Sequence, residues 1–207
     1  MIHQPQLIVV GTHNAKKLSE LQRLLADFPI QIVSLADFPD APEVEEDGDT
    51  FEANAVKKAT ELALVLGEWV VADDSGLTVD ALDGRPGVMS ARYAGEHGND
   101  PANVAKLLAE MADVPDDKRG AQFRCVIALA SPEKVELIAD GACRGVVARE
   151  ARGHNGFGYD PVFFYPAFGK TFAEVEADAK NGVSHRGRAL AAFKAKAAAL
   201  FAFVARS

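Results

Sequence analysis

The chain has 207 residues, 48% of them hydrophobic, which is enough to bury a substantial core as one domain. Its formal net charge of −8 argues against a protein that coats nucleic acids or binds an anionic membrane. No segment approaches about 18 consecutive apolar residues, and the N-terminus lacks the basic and apolar regions of a signal peptide. Cys125 and Cys143 lie in apolar segments without metal-ligand spacing, so we expect free, buried thiols and a cytoplasmic protein.

The first half of the chain alternates predicted strands and helices. A strand at 7–10 precedes a helix at 15–27 and a second strand at 30–34. Between Asp37 and Glu52 there are eight carboxylates and no basic residue, a pattern typical of a solvated loop. Thr50 is then predicted to cap a helix. The apolar side of that helix contains Phe51, Ala55, Ala59, Leu62 and Leu66.

The second half continues the alternation. A strand at 69–72 is predicted to end at a polar loop, and Asp100 with Pro101 predicts the cap and first turn of a helix. Strands at 121–130 and 135–147 are predicted to form an antiparallel hairpin. The last helix, at 185–204, has an apolar stripe that indicates core or subunit packing. The pattern is that of an α/β fold.

The most informative segment is the end of the predicted strand at 69–72. Two adjacent carboxylates, Asp73 and Asp74, follow its apolar residues, and Ser75 and Gly76 come next. Because neighbouring side chains of a strand point to opposite faces, the two aspartates cannot do the same job. Burying both is expensive unless a cation, donors or a proton relieves them. The segment indicates either a carboxylate that binds a divalent metal or polarises a water, or a strand-end turn with capping side chains.

A candidate anion site follows the first strand, where Gly11 and Thr12 lead into the first helix. Backbone N–H groups and the helix dipole favour negative charge at such a position. Thr12 and Asn14 can add donors, and Lys17 can add a full charge about one turn into the helix. The glycines and the Gly-Lys-Ser/Thr ending of a Walker A loop are missing. The alternative is an ordinary cap by Asn14 with solvated lysines.

Two further polar clusters lie near the C-terminus. Two glycines surround Phe157, which suits a loop that passes close to a flat ligand, and Phe157 or Tyr159 can stack on a base. The alternative is a glycine-rich turn that leads into a strand. Downstream, His185 and Arg186 open the last helix, where cations gain nothing from the dipole unless a ligand is bound. The alternative is a cap by Ser184 with two solvent-facing cations.

Together these segments resemble the inosine/xanthosine triphosphate pyrophosphatase family. The resemblance extends from about residue 7 to about residue 200, with six motifs in family order. They are Thr12-x-Asn14-x-x-Lys17, Thr50-Phe51-x-x-Asn54-Ala55-x-x-Lys58-Ala59, Ala72-Asp73-Asp74-Ser75-Gly76-Leu77, Pro86-Gly87-x-x-Ser90-Ala91-Arg92-Tyr93, Gly156-Phe157-Gly158-Tyr159-Asp160-Pro161 and Ser184-His185-Arg186-Gly187. Two positions depart from the family pattern, since His13 replaces a common glycine and Ala53 replaces a common glutamate.

The resemblance implies a fold and an assembly. The fold is an inosine triphosphatase-like α/β fold, an elongated mixed β-sheet with flanking helices in two lobes and a nucleotide cleft between them. Residues 1–207 are expected to form this single domain. The expected partners are a purine nucleoside triphosphate and a second copy of the chain in a homodimer, with no nucleic-acid polymer and no membrane.

The implied reaction is hydrolysis of nonstandard purine nucleoside triphosphates (ITP, dITP, XTP and dXTP) to the monophosphate and pyrophosphate, with Mg²⁺ as cofactor. Asp74 is expected to orient and deprotonate the attacking water, directly or through the metal, and Lys17 to act with it. Glu46 and Asp74 are the expected metal ligands. Asp73, on the opposite face of the strand, is expected to have a supporting hydrogen-bonding role.

The implied substrate contacts fall into two groups. The phosphate side comprises Thr12, His13, Asn14, Ala15, Lys16, Lys17, Lys58 and Ser75. The base side comprises Phe157, Gly158, Tyr159, Asp160, Lys180, His185 and Arg186. Hypoxanthine and xanthine carry an oxygen at C6 where adenine carries an amino group, so donors from Arg186 would favour the former.

Two other functions stay open at this point. One is a related pyrophosphatase acting on other modified nucleotides, and the other is a non-catalytic nucleotide-binding module. A panel of triphosphates distinguishes the first, and pyrophosphate release excludes the second. A Rossmann dehydrogenase is excluded, because no G-x-G-x-x-G turn follows the first strand.

Overall fold

A computed structural model describes residues 6–12 and 14–204; the side chains of Lys16 and of residues 202–204 lie outside the description. The strands are β1 (Gln6–Val10), β2 (Ile30–Ser34), β3 (Trp69–Val79), β4 (Gly120–Ala130), β5 (Val135–Val147), β6 (Phe163–Tyr165) and β7 (Lys170–Thr171). The helices are α1 (Ala15–Leu24), α2 (Phe51–Leu66), α3 (Asp100–Glu110), α4 (Ala177–Val183) and α5 (His185–Val204).

The strands of the described residues form one mixed sheet in the order β2-β1-β3-β4-β5-β6-β7. Strand β1 pairs in parallel with both β2 and β3, whereas β5, β6 and β7 pair as antiparallel neighbours. Strands β4 and β5 are neighbours joined by a tight turn, in which the Ser131 N–H donates to the Lys134 carbonyl at 2.9 Å. The predicted α/β class with a mixed sheet is confirmed.

The chain divides into two compact units. The first contains the residues up to Asp74, Val126–Asp140 and the residues from Ala189 onward. Most of its buried residues come from β1, β3, β4, β5, α1, α2 and α5, because each contributes an apolar face. They include Ile8, Val9, Val10, Leu21, Ala55, Ala59, Leu62, Val70, Val71, Phe193 and Phe201. Helix α2 begins after Thr50, whose side chain accepts from the Ala53 N–H, and ends at Gly67 in the left-handed conformation.

The second unit contains Ser75–Cys125 and Gly141–Arg188. Its core is rich in aromatic side chains, and Phe123, Phe163 and Phe172 form tilted or stacked ring pairs 4.5–6.2 Å apart. Cys143 lies in this core, and Cys143 and Cys125 are both buried free thiols, as predicted. No helix among the described residues is long and apolar enough to span a membrane.

Several predicted boundaries were wrong. Helix α1 ends at Leu24, three residues before the predicted end. Asn99, not Asp100, caps α3, since its side chain accepts from the Ala102 N–H and Asp100 is already helical. The short helix α4 was not predicted at all. The largest error concerns β3, which does not end at residue 72 but continues through Asp73 and Asp74 to Val79.

Candidate active site

The turn after β1 brings the start of α1 against the sheet. The Gly11 N–H donates to the Val71 carbonyl at 2.8 Å, and a Cβ at position 11 would lie 3.1 Å from Leu62 Cδ1. Glycine at this position therefore lets the chain pass close to β3 and α2. The hydrogen bond from Gly11 fixes the chain against β3 shortly before α1 begins.

The start of α1 has the features of an anion site. The Asn14 N–H donates to Thr12 Oγ1 at 3.2 Å, and the Lys17 N–H donates to Asn14 Oδ1 at 3.4 Å, so Asn14 caps the helix. Asn14 and Ala15 are exposed, and the first turn contains no acidic residue. The positive end of the helix dipole is thus open to an anion. His13 and the Lys16 side chain, both predicted phosphate contacts, lie outside the described residues.

Two lysines predicted to bind phosphate are held by carboxylates. Lys17 Nζ lies 2.8 Å from Asp73 Oδ2, and Lys58 forms an ion pair with Glu46. Lys58 Nζ also lies 3.5 Å from the Asp73 carbonyl oxygen. We call these four side chains, together with Asp74, the carboxylate–lysine cluster. All of its members belong to the first unit: Lys17, Glu46, Lys58, Asp73 and Asp74.

The two aspartates of β3 have different partners, as the alternation of a strand predicts. Asp73 contacts Lys17 from α1, whereas Asp74 Oδ2 accepts a hydrogen bond from Asn54 Nδ2 of α2 at 2.9 Å. The interpretation as a strand-end turn is wrong, because both residues lie within a continuous strand. Ser75 follows in the same strand and is half-buried.

The sequence predicted no role for Asn54, although this residue lies beside Asp74, the predicted general base. The Asn54 side chain is 1% exposed, donates to Asp74 and accepts from the Gly48 N–H at 2.8 Å. One sequence signal was available, since Asn54 lies three residues after Phe51 and therefore on the apolar side of α2. A polar residue on a buried face requires partners.

The donor set for a metal is small. Within residues 6–12 and 14–204, no group of three or more His, Cys, Asp or Glu side chains has the arrangement of a metal site. The predicted ligands Glu46 and Asp74 supply two carboxylates, and Asn54 connects Asp74 to the backbone two residues after Glu46. Two carboxylates fit Mg²⁺, which commonly takes one or two protein carboxylates and completes its shell with water and substrate phosphates.

In the second unit, Asp160 organises the loop 156–160. Its Oδ2 accepts from the Phe157 N–H at 2.9 Å and forms an ion pair with Lys180 of α4. A side chain at Gly156 would collide with the same carboxylate. Phe157 itself is 74% exposed, and Lys180 Nζ lies 4.9 Å from its ring centroid. The loop therefore presents an exposed aromatic face held by a buried ion pair.

Burial raises the pKa of the Asp160 carboxyl, and the charge and hydrogen bond of Lys180 oppose that rise. Burial likewise raises the pKa of Tyr159, whose hydroxyl donates to the Ser90 carbonyl at 2.9 Å. Because Tyr159 is only 4% exposed, it supports the loop from within, whereas Phe157 is the aromatic side chain of the loop that is exposed. Gly158, another predicted contact, donates its N–H to Asp100 Oδ2 at 2.6 Å.

The start of α5 has the cap that the alternative interpretation predicted, but not its solvent-facing cations. Ser184 Oγ accepts from the Gly187 N–H at 3.1 Å, so Ser184 caps the helix. His185 is 9% exposed, and its ring stacks on Phe123 with centroids 4.7 Å apart. The alternative of two solvent-facing cations is wrong, because His185 is buried and Arg186 is half-buried.

The fold and these two groups of residues define an α/β protein with an exposed helix start that is free of acidic residues, paired carboxylates and lysines, and an exposed aromatic loop. The sequence profile of the Ham1 family matches residues 8–196. A dITP/XTP pyrophosphatase from Shouchella clausii is 55% identical over 187 residues, which cover 90% of this chain and 94% of the relative. A dITP/XTP pyrophosphatase from Geobacter sulfurreducens has the same identity of 55% and covers 90% and 94%.

Solved structures agree with the sequence comparison. A HAM1 protein from Coxiella burnetii matches with a TM-score of 0.87 and 43% identity, covering 92% of this chain and 97% of that chain. A dITP/XTP pyrophosphatase from Mycobacterium abscessus has a TM-score of 0.81 and 49% identity, covering 91% and 97%. The chain belongs to the Ham1 family. The resemblance that the six motifs indicated is thereby confirmed.

Proposed function

We propose that this protein is a nucleoside-triphosphate pyrophosphatase that hydrolyses nonstandard purine nucleotides such as dITP, ITP and XTP to the monophosphate and pyrophosphate. The observation that carries the proposal is the carboxylate–lysine cluster beside the open start of α1. Relatives at 55% identity are named for the same reaction. Charge neutralisation and alignment are what phosphoryl transfer mainly requires.

The phosphates are bound by Thr12, Asn14 and the first N–H groups of α1, with Lys17 and Lys58 adding positive charge. Each lysine exchanges a carboxylate partner for a phosphate oxygen when the substrate binds, so neither charge has to be desolvated without a partner. Asp74 accepts a proton from the water that attacks the α-phosphorus. The bond between the α-phosphorus and its bridging oxygen breaks, and pyrophosphate leaves.

Glu46 and Asp74 are the residues that would hold Mg²⁺. When bound, the metal ion would supply charge neutralisation at the phosphates and lower the pKa of a bound water. The rest of the chemistry belongs to the chain itself. Lys17 and Lys58 orient the triphosphate, and Asn54 contacts the carboxylate that receives the proton.

The base is read by the loop 156–160 and the start of α5. Phe157 stacks on the purine, and the Asp160–Lys180 pair holds the loop that carries it. Arg186 donates to the C6 oxygen of hypoxanthine or xanthine. Adenine presents an amino group at that position, so two hydrogen-bond donors, the amino group and the Arg186 guanidinium, would face each other. Each polar group left unpaired costs about 1–3 kcal/mol.

Replacing Arg186 with alanine tests this base reading. We expect Arg186→Ala to lower kcat/KM for inosine triphosphate by about 1–3 kcal/mol, since an attraction specific to 6-oxo purines is lost. Hydrolysis of ATP, already slow, should fall much less, so the ratio between the two substrates should shrink. The measurement is kcat/KM for both nucleotides in the wild type and in the variant.

Lys17→Ala is the control for that experiment. Because every triphosphate presents the same phosphates, this change should impair both substrates alike. If Arg186→Ala also depresses both equally, Arg186 is a phosphate or scaffold residue and the base-reading role belongs to another side chain.

The cytoplasmic location and the homodimer remain predictions. Two buried free thiols support a reducing compartment. The homodimer is supported by the family resemblance alone. Light scattering of the purified chain measures its mass directly, and a mass of about 22.0 kDa in place of twice that value would contradict the dimer.

A further inference from the structure

Both polar atoms of the Asn54 side-chain amide form hydrogen bonds. The amide lies on the buried side of α2, 1% exposed, and its two polar atoms contact different parts of the first unit. The Gly48 N–H can only donate, so the amide oxygen must face it, at 2.8 Å. The amide nitrogen is thereby directed at Asp74 Oδ2, at 2.9 Å. The orientation of the amide follows from its partners.

We propose that Asn54 is a positioning residue for hydrolysis. It fixes the rotation of the Asp74 carboxylate and ties it to the acidic segment at Gly48, two residues after Glu46. Asn54 acts on the reaction only through Asp74 and this segment. The inference rests on the proposed function, because it takes Asp74 to be the group that receives the proton from water.

The close packing of Gly48 against the Asn54 amide supports the inference independently. A Cβ at this position would lie 2.7 Å from Asn54 Oδ1 and 2.9 Å from Ala53 Cβ. The φ angle of Gly48 lies outside the left-handed region, so its backbone conformation does not require glycine. Glycine is there to leave room for the amide. Gly48→Ala therefore displaces Asn54 without removing any of its atoms.

The experiment compares Asn54→Ala and Gly48→Ala with the wild type. We expect kcat for dITP to fall about 10- to 100-fold in both variants, the scale typical of residues that orient a reacting group. KM should stay within about twofold, because the residues that bind phosphate and base are unchanged. Calorimetric titration with the non-hydrolysable α,β-imido analogue of dITP should give unchanged affinity and one site per chain.

Asn103→Ala is the matched control. Asn103 is an equally buried helical asparagine, 1% exposed, that accepts from the Ala94 N–H at 2.7 Å and donates to the Ala91 carbonyl at 3.2 Å. It contacts no residue of the carboxylate–lysine cluster in the described structure. Its removal should lower the melting temperature and leave kcat per folded chain unchanged. If Asn54→Ala fails to fold, Gly48→Ala carries the test.

Wild-type kcat in a folded Asn54→Ala or Gly48→Ala protein overturns the inference. So does a loss of analogue affinity equal to the loss of kcat/KM, since that pattern belongs to a binding or scaffold residue. A wild-type protein that releases no pyrophosphate from any triphosphate overturns the proposed function, and the inference with it.

Discussion

Replacing Asp74 with asparagine is expected to lower kcat for inosine triphosphate by about 100-fold or more, the scale of losing a general base. The side chain keeps its size, and its amide oxygen can still accept from Asn54 Nδ2, so the fold should be retained. The measurement is steady-state pyrophosphate release, with circular dichroism to verify folding. The expected loss is the largest of any single substitution because it removes the proton acceptor itself.

Asp80→Asn is the control for this substitution. Asp80 is an aspartate of the second unit that is 52% exposed and paired with Arg144 at the surface, where an ion pair contributes little to stability. It should retain wild-type turnover. Near-wild-type turnover in a folded Asp74→Asn protein would remove Asp74 from the catalytic role.

Removal of divalent metal is expected to abolish activity, and Mg²⁺ should restore it. Three carboxylates, those of Glu46, Asp73 and Asp74, bring negative charge to a site that binds a polyanion, and the two cluster lysines offset only two of these charges. The direct test is turnover after EDTA treatment and dialysis, followed by titration with Mg²⁺. Turnover that persists without metal would contradict the proposed Glu46 and Asp74 shell.

Substitutions of two neighbouring glutamates distinguish metal binding by Glu46 from a general effect of negative charge in this segment. Glu46→Gln should raise the Mg²⁺ concentration for half-maximal activity about 10- to 100-fold. Glu45→Gln removes the same charge one residue earlier, from an exposed side chain, and should leave that concentration unchanged. Equal shifts in both variants would show that only the net charge of the segment matters.

Local patterns predicted much of the fold. The cap at Thr50, the strand at Ile30–Ser34 and the last helix at His185–Val204 follow from capping chemistry and periodicity, and the structure confirms them. Strand β3 was cut short because two aspartates, a serine and a glycine together have the composition of a turn. Pairing within the sheet extends the strand through them, and composition does not encode that pairing.

The sequence named candidate site residues one by one but did not give the contacts between them. The family resemblance pointed to Lys17, Glu46, Lys58 and Asp74 as separate contributors. Their pairing depends on which elements the fold places together, so Lys17–Asp73 and Lys58–Glu46 emerge only from the structure. Asn54 was missed for the same reason, since its role is visible only through partners 6 and 20 residues away.

The central claim is that this chain releases pyrophosphate from nonstandard purine triphosphates, namely those of hypoxanthine and xanthine, which carry an oxygen at C6. Colorimetric measurement of pyrophosphate across a triphosphate panel with Mg²⁺ tests it most directly. Proposed function and site together predict the highest kcat/KM for dITP, ITP and XTP, and values at least tenfold lower for ATP and the pyrimidine triphosphates. Equal turnover of ATP and ITP, or release of single phosphate in place of pyrophosphate, would contradict the account.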